Sequence, residues 1–131
     1  MALAKLLWLN LLLILHPRRK GVRYMFTRVV TLTCKPGQAK NASKSMTEKV
    51  LPILKKQQGF LDETVLVSNQ NPDHALALSF WNTREDAERY NRDQFPKIRE
   101  MMQDFLASAP VVETYDVDMS TTHRITAGKA A

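Results

Sequence analysis

The chain has 131 residues, 44% of them apolar and 24% charged, which suits one globular domain with a single hydrophobic core. Its formal net charge of +6 is unevenly placed: Lys5, Arg18, Arg19, Lys20 and Arg23 all lie in residues 1–24, which hold no acid, and the remainder is nearly neutral. The body of the chain therefore lacks the basic face that phosphate neutralisation needs, so no nucleic-acid partner is expected.

Residues 1–24 stand outside the expected fold. Leu6 to Leu15 is an apolar run of about ten residues, too short to span a bilayer. His16-Pro-Arg-Arg-Lys20 follows where a signal peptide would carry small residues for cleavage. Three readings stay open: an over-extended start with the true chain beginning at Met25, an uncleaved or ill-formed export signal, and an interfacial anchor with its basic cluster at lipid headgroups. Membrane contact is expected only if this segment is retained.

The domain is expected over residues 25–120, with a flexible tail over 121–131. Phe26 to Thr33 is β-branched and apolar and predicts a first strand, broken by Lys35-Pro-Gly-Gln38. The single cysteine, Cys34, excludes an internal disulfide and fits a reducing, cytoplasmic compartment. It reads as a buried, inert thiol near the strand end, since only Lys35 beside it would favour a thiolate. A helix follows from about Gln38 to Gln57, with Ala42, Met46, Val50, Ile53 and Leu54 on one face. Pro52 removes a backbone donor within it and predicts a kink or break near Glu48 to Leu51.

Phe60 to Ser68 predicts a second strand and His74 or Ala75 to Trp81 a third, joined as a hairpin by the turn residues Asn69-Gln-Asn-Pro-Asp73. Thr83 is placed to cap a helix running to about Arg92, with Glu85 and Asp86 suited to its positive end. Pro96 predicts the first residue of a further helix capped by Asp93, whose apolar face is Ile98, Met101, Met102, Phe105 and Leu106. Val111 to Met119 alternates as a last strand, with Val111, Tyr115, Val117 and Met119 on one face and Thr114, Asp116 and Asp118 on the other. His74 reads as an exposed turn residue and His123 as part of a fraying tail.

The order is βαββααβ. A central hairpin and right-handed crossovers make this an α+β, ferredoxin-like fold: a four-stranded antiparallel sheet with helices on one face. The first three strands carry apolar residues at adjacent positions, as in Val65-Leu66-Val67 and Leu76-Ala77-Leu78. Helices cover one face only, so the other is an exposed apolar sheet of the kind a soluble monomer rarely keeps. Pairing of two such sheets in a homodimer is expected.

Val29-Val-Thr-Leu-Thr33 with Lys35-Pro-Gly37, then Gln58-Gly-Phe-Leu-Asp-Glu63, then Ser79-Phe-Trp-Asn-Thr-Arg-Glu-Asp-Ala-Glu-Arg-Tyr90 with Phe95, resemble in order and spacing the antibiotic biosynthesis monooxygenase family. The resemblance spans roughly residues 25–120. It implies a dimeric α/β-barrel made by packing two sheets face to face, with a pocket in each subunit between sheet and helices. Members include cofactor-free oxygenases of polycyclic phenols and quinols, haem-degrading enzymes, and small proteins without an assigned role. The haem-degrading branch uses an Asn on strand one, a Trp on the helix after strand three and a haem-ligating His on the last helix. Arg28, Tyr90, and Arg99 or a neighbour stand at the matching positions, and residues 93–119 hold no His, so haem is not expected.

Cofactor-free oxygenation needs a substrate that supplies electrons as an anion, in a dry pocket that stabilises that anion and relays a proton. On the resemblance, the catalytic candidates are Arg99, to pair with a developing oxyanion, and Tyr90, to share a proton. Trp81 and Phe95 would stack on the substrate ring, and Met102 would fill around it. Arg28 shares parity with Val30 and Leu32; an inward Arg is costly unless paired, so it is either functional or reaches past the sheet edge. Each candidate has a plainer account: Trp81 and Phe95 as core, Tyr90 as helix-to-sheet packing, Arg99 paired with Glu100, Asp104 or solvent. No metal-ligand cluster, phosphate-cradling glycine loop or nucleophile–base pair stands out. Two functions remain. One is a monooxygenase, cofactor-independent or flavin-assisted, acting on a hydroxylated aromatic or quinone. The other is a non-catalytic dimeric domain, a small-ligand binder or stress accessory.

Overall fold

The structure, a computed structural model, describes residues 25–123. The readings of residues 1–24 and of the tail after residue 123 lie outside the described residues. Four strands form one antiparallel sheet, β1 (Phe26–Thr33), β2 (Phe60–Val67), β3 (His74–Trp81) and β4 (Val111–Asp116), in the spatial order β2-β3-β1-β4. The hairpin between β2 and β3 closes where the turn residues predict. Ser68 Oγ accepts from the backbone N–H groups of Gln70 and Asn71, and Asn71 Oδ1 accepts from that of Asp73.

The first crossover is one helical stretch in three parts. α1 (Ala39–Ser45) leads into a π turn (Met46–Val50) and then α2 (Leu51–Lys55). The break expected from Pro52 therefore takes the form of a widened turn, in which the Leu51 N–H bonds back to the Met46 carbonyl. Pro52 has no N–H to give and its ring crowds the carbonyl four residues before it, so the extra residue in the turn relieves both. Gly59 ends this crossover at a φ of +81°, and a Cβ there would run into the Asp86 side chain, so both backbone conformation and space call for glycine.

The second crossover holds α3 (Arg84–Asp93), α4 (Phe95–Met102) and a short 3₁₀ turn (Gln103–Phe105). Thr83 caps α3 as expected, its Oγ1 accepting from the Asp86 N–H at 3.1 Å. The start of α4 differs from expectation. Its cap is Gln94 without a side-chain bond, Phe95 is the first helical residue, and Asp93 pairs with Arg92 at 2.8 Å instead. Pro96 fits second as well as first, because the early N–H groups of a helix have no internal partner anyway.

The helices cover one sheet face, and the core lies beneath them. Trp81, Val50 and Leu54 are almost fully buried there, joined by Ala87, Tyr90, Ile98 and Met102. Burying a side chain such as that of Leu54 contributes roughly 1.5–3 kcal/mol. Cys34 is buried with them, and burial raises its thiol pKa, as expected of an inert thiol. The opposite face shows an apolar row across all four strands: Leu66, Leu76 and Val111, with Thr31 between the last two. Leu66 is 49% exposed and Val111 55%. The apolar side of β4, with Val111 and Tyr115, thus faces away from the helices, while Val112 pairs with Val30 on the covered side. His123 does not stand free: its ring lies 5.2 Å from that of Phe80 and its Nε2 is 3.6 Å from Asp62, at one end of the outer face.

Candidate functional site

Residues directly opposite one another in neighbouring strands share a face. On the helix-covered face the register stacks successive rows, three of which bear on the site. Phe26 and Trp81 lie in the first, with Phe60. Val65, Ala77, Val30 and Val112 form the third. Between them runs one polar row, Glu63–Ser79–Arg28–Thr114. Glu63 owes its place in it to a bulge. Phe60 opposes Trp81 but Asp62 opposes Phe80, so Leu61 is an extra residue in β2. Strict alternation from Phe60 would turn Glu63 outward; the added residue lets Phe60 and Glu63, three apart, both face the helices.

Arg28 does not reach past the sheet edge. It is 3% exposed and points under the helices, where its Nη2 donates to Asn91 Oδ1 on α3 at 2.9 Å. Its guanidinium carbon lies 4.5 Å from the centre of the Phe95 ring and 5.0 Å from that of Tyr90. Two aromatic faces and an amide oxygen thus replace water around a cation, which lowers the cost of its burial. Burial pulls Arg28 below its usual pKa, with Tyr90 and Glu63 acting against that shift. Burial also pushes Tyr90 up to about 12, opposed by Arg28 and assisted by Glu63. Glu63 is pushed by burial up to about 8, opposed by Arg28 and assisted by Asp62. Its Oε2 is buried and has no hydrogen-bond partner among the described residues.

These groups line a cleft of about 40 Å³ between sheet and helices, otherwise walled by apolar side chains that include Val30, Met46, Val50, Leu54 and Ile98. That is room for a few water molecules. Of the candidates named from the sequence, Tyr90, Phe95 and Met102 line the cleft. Arg99 also lines it from α4, though it is exposed, and among the described residues no carboxylate lies within 4.0 Å of its guanidinium. Trp81 is placed differently. It is fully buried behind Tyr90, with ring centres 5.0 Å apart, its Nε1 donates to Ser79 Oγ at 2.9 Å, and it does not line the cleft. It supports Tyr90 and orients Ser79. On the far side of Arg28 a wider, open groove of about 450 Å³ runs between α3 and the β1–β4 edge, lined by Arg84, Glu88, Asn91 and Thr114.

Sequence reasoning missed Glu63 and Asn91. Asp62 and Glu63 lie on opposite faces of the second strand in any register, and the bulge, which alternation counted from Phe60 does not foresee, decides that Glu63 is the one facing inward. Among the described residues no group of His, Cys, Asp and Glu could hold a metal ion. No helix of the described residues is long and apolar enough to cross a membrane. The arrangement can hold an anionic oxygen against Arg28 with apolar surface around it, and it offers one acid–base group, Glu63, beside a phenol that stays protonated.

The sequence model for antibiotic biosynthesis monooxygenases matches residues 25–105. No curated protein matches the chain. Among solved structures, a Bordetella bronchiseptica protein assigned to the antibiotic biosynthesis monooxygenases superimposes with a TM-score of 0.65 at 14% identity, over 74% of this chain and 100% of that one. A Nitrosomonas europaea protein of unknown function superimposes with a TM-score of 0.65 at 17% identity, over 77% and 96%. A Streptomyces coelicolor monooxygenase in complex with nanaomycin D superimposes with a TM-score of 0.63 at 19% identity, over 75% and 91%. At these identities the structural likenesses establish the ferredoxin-like fold.

Proposed function

The chain belongs to the antibiotic biosynthesis monooxygenase family, and we propose that it is a monooxygenase acting on a hydroxylated aromatic or quinone, either cofactor-independent or assisted by reduced flavin from solution. The observation that carries this reading is the buried cation Arg28, held between Tyr90 and Phe95 at the wall of an apolar cleft. An aromatic oxyanion is electron-rich enough to give electrons to dioxygen, and a fixed cation in a dry site stabilises such an anion far better than water does. Arg28 takes the part of anion holder, and Arg99, at the exposed side of the cleft, meets the substrate on entry. Tyr90 donates a hydrogen bond, Phe95 packs on the ring, and Met102 adapts around it. The ligand seen with the Streptomyces coelicolor monooxygenase, nanaomycin D, fits the same substrate class.

The cleft must open to admit such a molecule. Its small volume and apolar lining favour a second reading, a non-catalytic dimeric domain that binds a small ligand or serves as a stress accessory. Dioxygen uptake by the full chain over a panel of quinols and polycyclic phenols, with and without reduced flavin, separates the two. Arg28→Met should lower turnover about 10²–10³-fold, the loss typical of one oxyanion-stabilising group, and Tyr90→Phe at least about tenfold. No uptake above background with any member of the panel favours the second reading.

Both readings include a homodimer closed through the outer sheet face. The exposed Leu66, Leu76, Val111 and Tyr115 support it.

A further inference from the structure

We propose that Glu63 is the proton acceptor of this site: its carboxylate takes the proton from a hydroxyl group of the bound aromatic and leaves an oxyanion to Arg28. The inference rests on the reading of the cleft as a site for hydroxylated aromatics. It is a proton transfer alone: the ligand O–H bond breaks, an O–H bond forms on Glu63, and the electron pair stays on the ligand oxygen.

Three observations on position carry it. Of the residues lining the cleft, Glu63 alone bears a carboxylate, and no histidine or lysine lines it. Glu63 sits in the same cross-strand row as Arg28, with only Ser79 between them, so acceptor and cation face the ligand space from neighbouring points of one rigid sheet. Its Oε2 is buried without a partner among the described residues, so it is open to accept from a ligand hydroxyl. The bulge at Leu61 is the local irregularity that turns it inward.

The charged and titratable groups around it agree with this role. Arg28 acts on it from β1 and Tyr90 from α3, Arg99 lines the same cleft from α4, and Asp62 is its neighbour on β2; the π turn and α2 present only Met46, Val50 and Leu54. Tyr90, pushed up to about 12, keeps its proton at neutral pH and serves as a donor. An ordinary Glu near 4.3 stands roughly six units below a phenol near 10, a poor match for proton transfer. Burial lifts Glu63 to about 8, which closes most of that gap and makes Glu63 an acceptor once the pH reaches that value, where its carboxyl is ionised.

The test binds 2-naphthol, whose absorption changes on ionisation, to the full chain without oxygen, from about pH 8 to 9.5. If Glu63 takes the proton, it moves within the site, so the ionised fraction of bound naphthol stays level with pH. In Glu63→Gln that fraction should instead follow bulk pH, changing about tenfold per unit. Carbon-13 titration of the Glu63 carboxyl in the ligand-free chain, independent of any variant, should show a midpoint near 8. A midpoint near 4.5, an ionised fraction that tracks bulk pH in the unaltered chain, or failure of naphthol to bind overturns the proposal. Dioxygen uptake tells its failure from that of the oxygenase reading. Glu63→Gln should lose about 10²-fold in turnover, and turnover kept in that variant defeats the proton-acceptor role alone. Level ionisation without turnover on any substrate defeats the oxygenase reading alone.

Discussion

At the scale of single residues, the unusual feature is a carboxyl and a guanidinium buried on one apolar face without forming an ion pair. Arg28 is satisfied by Asn91 and two aromatic rings, whereas Glu63 is held largely as a neutral acid. This has a consequence for stability. The unfolded chain loses its Glu63 proton near pH 4.5, while the folded chain keeps it until about 8. Between those values the native state binds the extra proton, so this group's contribution, full below about pH 4.5, is lost as pH rises to about 8. Allowing for the partial solvent contact of the side chain, the change is on the order of 2–4 kcal/mol. Urea denaturation of the natural chain and of Glu63→Gln, compared from pH 5 to 8, should show the natural chain losing stability relative to the variant. Parallel curves would mean that Glu63 titrates normally.

At the scale of elements, most of the framework is legible in the sequence because its signals are chemical and local. Lys35-Pro-Gly37, the Asn69–Asp73 turn and Thr83 each stand where the chain changes direction, for the reasons that favour those residues there. Arg28 keeps step with Val30 and Leu32, which sets its face in the sequence but not whether it stays under the helices or reaches past the sheet edge. Pro52 locates a disturbance in the first helical stretch but not its form, because a kink, a break and a π turn all answer a missing donor. The bulge at Leu61 is not legible: an extra residue in an apolar run leaves no mark in composition, yet it decides which of Asp62 and Glu63 enters the site. For the same reason Trp81 and Phe95 look alike in sequence. Only the packing separates the ring behind Tyr90 from the ring at the cleft.

At the scale of the molecule, the sheet has two working faces. The inner one carries the polar row under the helices, and the outer one carries the exposed apolar row Leu66–Leu76–Thr31–Val111. A homodimer through the outer face would bury those side chains and leave the cleft of each subunit free. Sedimentation should give a dimer at micromolar concentration, and Leu76→Asp, which places a charge in the middle of that face, should give a folded monomer. A stable monomer of the natural chain would remove the dimer from the account. Ligand is expected to bind in the cleft between sheet and helices. Nuclear magnetic resonance titration of the full chain with an unreactive hydroxylated aromatic, without oxygen, tests it most directly. Shifts should centre on Arg28, Glu63, Ser79, Tyr90 and Met102. Shifts confined to Arg84, Glu88 and Thr114 in the open groove, or to Leu66, Leu76 and Val111 on the outer face, would contradict it.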